Sequence, residues 1–95
     1  MSSINHYAEF RSALEQCIID VEALCKQFPH DEMLGSIKRQ LAQVDLWTQG
    51  GRPVSKGDAA KLSFGVMTGK VVDDIDPDLA QQLYRLANYI DDTAR

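Results

Sequence analysis

The residues of this sequence with chemical reach are two cysteines, two histidines and a run of aspartates: Cys17, Cys25, His6, His30, Asp73, Asp74, Asp76 and Asp78. A thiol beside an imidazole would make a nucleophile. Closely spaced Cys/His pairs would hold zinc. The spacing provides neither, because His6 and His30 lie at opposite ends of the first apolar-periodic segment and share no helical face with each other or with a cysteine. On one helix Cys17 and Cys25 lie roughly 12 Å apart, at ~1.5 Å per residue, which exceeds disulfide reach. They read as reduced core thiols, the pattern of a reducing compartment. The aspartate run lacks the glycine and the distal glutamate of an EF-hand loop, and Pro77 interrupts it. Asp76 and Asp78 suit the start of a helix, whereas Asp73 and Asp74 have no capping duty and form a charge patch that could meet cations on a partner. The expectation is a protein that is not an enzyme and takes no metal or cofactor.

Charge and length narrow the classes further. The chain has 95 residues, enough for a single domain over 1–95 with a modest core, and its 44% hydrophobic and 25% charged residues are ordinary globular values. Net charge is −4, and residues 1–54 and 55–95 each carry five Lys/Arg against seven Asp/Glu. No basic stripe gathers phosphates, so nucleic-acid binding, including a DNA-binding antitoxin role, is disfavoured. An acidic surface favours encounter with a basic protein. Met1 to Phe10 shows no basic region followed by an apolar run, and no apolar stretch approaches the ~20 residues of a membrane span. The expected location is the cytoplasm, with no membrane partner.

The elements follow from periodicity. From about Ile4 to Phe28, apolar residues fall at Tyr7, Phe10, Leu14, Cys17, Val21, Leu24 and Phe28, alternating steps of three and four along one helical face. Ser2, Ser3 or Asn5 offers a cap, and Pro29 ends the helix. A second helix is expected over Asp31–Gln49, striped by Met33, Leu34, Ile37, Leu41, Val44 and Thr48, capped by Asp31 or His30 and closed by Gly50-Gly51. A third starts at Ser55, with Asp58 three residues on as a variant capping box, and is expected to run to about Val71. A fourth starts at Asp76-Pro77-Asp78, with Leu79, Leu83, Leu86, Ala87 and Ile90 as its stripe. The fold class is all-α, a compact bundle of about four helices.

The third segment is the unusual one. Read as a single helix it carries two apolar stripes, Ala59, Leu62 and Val66 on one, and Ala60, Phe64, Met67 and Val71 on another, turned roughly 120–150° away at ~100° per residue. Such a helix is either central or shows one stripe to a partner. Gly65 and Gly69, four apart, permit close approach by a neighbouring helix or by a partner. Ile19, Leu46 and Tyr84 fall off their own stripes, and Trp47 and Tyr89 sit on stripe edges.

Phe28-Pro29-His30-Asp31-Glu32-Met33-Leu34, continuing through Ser36 to Gln40-Leu41, resembles the second-helix start of a family of small helical bacterial immunity proteins. So does Leu62-Ser63-Phe64-Gly65, followed by Lys70, Asp73 and Asp76-Pro77-Asp78-Leu79. The resemblance spans residues 28–79 in register. It implies an immunity protein that protects against type VI secretion effectors, whose best-known relatives neutralise NAD(P)+ glycohydrolase toxins. The partner it implies is a cognate effector toxin domain, a glycohydrolase or ADP-ribosyltransferase, blocked by occlusion of its active-site cleft. Candidate contacts are Phe64, Met67, Asp73, Asp74 and Tyr84. The alternative is another helical interaction module, a secretion chaperone, adaptor or dimerisation domain, and self-association stays open.

Overall fold

The computed structural model describes Ile4 and residues 6–95. The first helix, α1 (Tyr7–Gln27), starts where His6 accepts a hydrogen bond from the Glu9 amide at its Nδ1, 3.3 Å away. The candidate caps Ser2, Ser3 and Asn5 lie outside the described residues. Phe10, Leu14, Cys17, Val21 and Leu24 are buried along one face, as the three-four spacing requires. Phe28 closes α1 through its amide to the Leu24 carbonyl, and α2 (Glu32–Trp47) begins three residues after Pro29. Asp31 caps α2, accepting from the Leu34 amide at 3.0 Å. Leu34, Ile37, Leu41 and Val44 are buried, but Met33, assigned to the same stripe, is 39% exposed and is corrected to the outer side. Gly50 and Gly51 reverse the chain after α2 with φ of 75° and 86°, a left-handed conformation in which a side chain is strained.

Polar ties fix the α1–α2 hairpin at its open end. Thr48 is buried, its hydroxyl donating to the Val44 carbonyl at 2.7 Å, while its own carbonyl accepts from the Tyr7 hydroxyl. Arg11 Nη2 lies 2.6 Å from Asp45 Oδ1, and its Nη1 donates to Thr48 Oγ1 at 3.3 Å. Buried polar groups persist when partnered in this way.

The third segment departs from its expectation. A continuous helix from Ser55 to about Val71 is not what forms. Ser55 does cap a helix, accepting from the Asp58 amide at 3.1 Å, but that helix, α3 (Lys56–Ala59), is a single turn. The chain turns at Ala60 and Lys61, is irregular at Leu62 and Ser63, and restarts as α4 (Phe64–Met67). A π turn, Thr68–Val72, follows, and α5 (Asp73–Ile75) completes the segment four residues beyond the expected end. The stripe Ala59–Leu62–Val66 therefore does not exist as one face of one helix.

The break has an identifiable cause in α2. Gln40 Oε1 accepts the Ser63 amide at 2.7 Å, and its Nε2 lies 3.2 Å from Ser63 Oγ, 3.1 Å from Ser36 Oγ and 3.7 Å from Met67 Sδ. A distant side chain thus satisfies the backbone N–H that an unbroken helix would have bonded internally. The π turn has a packing reason. The buried residues of the segment are Phe64, Thr68 and Val72, each four apart. On an α-helix such residues drift by about 40° per step at ~100° per residue. The wider turn, closed by the Asp73 amide to the Thr68 carbonyl, offsets the drift over the second step and keeps Val72 inside.

The last helix, α6 (Pro77–Thr93), begins with Asp76 accepting the Leu79 amide at 3.1 Å and Pro77 at the first helical position. Leu79, Ala80, Leu83, Leu86 and Ile90 are buried. α1 packs on α2 and α6, and the α4–α5 segment packs on the same two helices, so α1 and α4–α5 occupy opposite corners of a four-part bundle. After α6 the Arg95 amide donates to the Val54 carbonyl and the Lys56 amide to the Arg95 carbonyl, tying the end of the chain to the start of α3. Among the described residues there is no β-strand and no helix long and apolar enough to cross a membrane.

Candidate interaction surface

The groups that could have done chemistry are dispersed or occupied. Cys17 is buried, and burial, with the Asp20 carboxylate adding to it against the opposing Arg85 guanidinium, pushes its thiol up to about 12. A thiol held protonated at neutral pH is a core residue and not a nucleophile. Cys25 is half-buried and unpaired, in an open groove of about 360 Å³ beside Phe28, Lys38 and Arg39 that no histidine lines. His6 caps α1 and His30 is exposed in the turn before α2. Among the described residues, no group of three Cys, His, Asp or Glu side chains could hold a metal.

The surface of α4–α5 carries the remaining interest. Asp73 and Asp74 are exposed in the first turn of α5, with Ile75 40% exposed beside them. Tyr84 reaches them from α6. Its phenol is raised above the ordinary value of 10.0 by desolvation first, then by the Asp73 carboxylate, through its charge and hydrogen bonding. A charge patch from one helix and an aromatic from another therefore share one site. Met67 is half-buried, its sulfur 3.7 Å from Gln40 Nε2 of α2. Phe64 does not join them. It is 1% exposed and fills the core, so it is corrected from a surface contact beside the acid pair to a core residue. Thr68 was not distinguishable in the sequence, yet it is fully buried, its hydroxyl donating to the Phe64 carbonyl at 2.7 Å.

The two glycines serve α6. A Cβ at Gly65 would lie 3.3 Å from the Ala87 Cβ, and one at Gly69 would lie 3.1 Å from the Tyr84 hydroxyl. Close approach by a neighbouring helix, one of the two uses open to them, is the one realised. The absent side chain at position 69 makes room for the tyrosine near Asp73.

The residues that carry the sequence resemblance also converge. Gln40 of the first stretch bonds Ser36 beside it and Ser63 of the second, and Asp31 and Asp76 cap the helices that follow them. The family model Tsi6 matches residues 9–92, nearly the whole chain, and the chain belongs to the Tsi6 family, a family of type VI secretion immunity proteins. No curated protein and no solved structure matches the chain.

Proposed function

We propose that this immunity protein binds a cognate NAD-consuming effector toxin, a glycohydrolase or an ADP-ribosyltransferase, and neutralises it by covering the active-site cleft in the cytoplasm. The observation that carries the reading is the exposed acid pair Asp73 and Asp74 on α5, with Tyr84 of α6 near it, on a chain whose family acts by immunity. A cleft that binds the pyrophosphate of NAD needs cations and hydrogen-bond donors. Two carboxylates held on a rigid helix turn offer those groups a substitute for the ligand's charge. Met67, Asp73, Asp74 and Tyr84 are the contacts in this reading, and the mechanism is steric and electrostatic, with no chemistry on the immunity protein.

The test mixes the protein with the toxin domain encoded beside it and follows NAD consumption. Activity is expected to fall to background near an equal molar ratio. A toxin that consumes NAD unchanged in that mixture overturns the proposal.

A further inference from the structure

The break between α3 and α4 leaves a cleft against α6 that no described residue fills. Ala59 and Leu62 form one wall, Phe64 and Ile90 the floor, Val66 one rim and Asp91 the other, around about 140 Å³. Three features of the fold produce it. Gln40 draws Ser63 toward α2 and interrupts the helix whose side chains would otherwise have covered this part of α6. Gly65 contributes no side chain at the point where a Cβ would press on Ala87. Val66, immediately beside it, is 65% exposed, the highest value among the exposed large hydrophobics of the described residues. Isolated exposed apolar residues are ordinary, but one standing at the mouth of an apolar cleft is a contiguous surface.

Size and charge narrow what fits. An apolar cavity of roughly 150 Å³ admits a benzene-sized group, so this cleft holds one side chain. Its lining includes one carboxylate and no Lys or Arg. Asp92 is exposed next to Asp91; Lys61, adjacent to Leu62, is 3.7 Å from Asp58, and Arg95, four residues after Asp91, has its backbone bonded to Val54 and Lys56 and is not part of the lining. An apolar knob with a cation beside it matches both properties, because burial in the cleft supplies affinity and the carboxylates favour a cationic neighbour.

We propose that the partner seats a single apolar side chain, flanked by an Arg or Lys, in the cleft between the α3–α4 break and α6. The inference deepens the proposed function and rests on it for the identity of the partner as a toxin domain. It adds an anchoring pocket, with Val66 and Asp91 at its mouth, to the acidic contacts of α5.

Three exposed positions test it without disturbing the core: Val66→Asp, Asp91→Lys and, as a control on the outer face of α1 at the opposite corner of the bundle, Ile19→Asp. Each variant is compared with the unmodified protein for binding to the toxin domain encoded beside it by calorimetry, with thermal unfolding measured alongside. The expected result is an affinity loss of about tenfold or more for Val66→Asp and Asp91→Lys, unchanged binding for Ile19→Asp, and unfolding temperatures alike. Unmodified protein that fails to bind the toxin defeats the proposed function. Unmodified protein that binds, while Val66→Asp and Asp91→Lys bind within about twofold of it, overturns the pocket alone, and so does a loss confined to Ile19→Asp.

Discussion

The α1–α2 hairpin and the α3–α5 segment are made from similar residues and behave differently. In the hairpin each helix has one apolar stripe, the stripe is buried, and the ends are capped by neighbours in sequence, His6 for α1 and Asp31 for α2. Its long-range polar bonds, Arg11 to Asp45 and Tyr7 to Thr48, join helices whose stripes and caps are already local. The α3–α5 segment has no such independence. Gln40 of α2 satisfies the backbone at its break, Ala87 and Tyr84 of α6 occupy the space above its glycines, and its π turn serves the burial of Val72. A segment shaped by its neighbours can present groups in arrangements that a regular helix does not allow. Here these are an exposed acid pair with a tyrosine near it and the cleft between the α3–α4 break and α6.

The largest expected effect tests the hairpin. Leu14, fully buried in the middle of α1, packs in the common core. Leu14→Ala is expected to cost about 2–5 kcal/mol and to lower the stability of the whole chain in a single urea transition. A loss restricted to α1, seen as fast amide exchange there alone, would break the comparison by showing that the hairpin is not the cooperative framework.

The next effect is smaller and local. Gln40→Ala leaves the Ser63 amide without its acceptor, an expected cost of about 1–3 kcal/mol. Hydrogen exchange should quicken through residues 60–75 and change little in α1. Equal quickening in both regions would mean that the clamp supports the entire fold and not the break. Because Ser63 sits at the wall of the cleft, the same variant should also weaken toxin binding.

The smallest effect sharpens the account of the acid pair. The raised phenol of Tyr84 means that the folded state holds its proton more tightly than the unfolded state. The associated stability is present below pH 10, where both forms are protonated, and is lost as pH rises through the folded value. Asp73→Asn removes the neighbouring charge, so the phenol should titrate closer to its ordinary value while the part due to desolvation remains. Ultraviolet absorbance of the phenolate, with Tyr84→Phe identifying the signal, checks this. An unchanged titration in Asp73→Asn would show that the pair does not hold in solution.

Much of the fold was legible in the chain. The stripe from Phe10 to Leu24, the caps Asp31, Ser55 and Asp76, and the stops at Pro29 and Gly50-Gly51 depend on residues within a few positions of each other, and each sits where local chemistry placed it. The acid pair was legible for the same reason, since Asp73 and Asp74 were the aspartates without a capping duty. The break at Ala60–Ser63 was not legible, because the group that stabilises it is a glutamine 23 positions earlier. Phe64 was placed on a stripe that assumed an unbroken helix, and it became core once the restart at Ser63 changed which way the segment faces.

Local interactions thus determined the helical class, most boundaries and the absence of any catalytic spacing, since capping, periodicity and metal spacing act over one or two turns. Tertiary structure decided which neighbour uses Gly65 and Gly69, that Tyr84 comes near Asp73, and that a cleft opens beside Val66. Each depends on where α2 and α6 lie against the third segment, and the relative position of packed helices is set by the fit of whole faces that no short stretch of sequence contains.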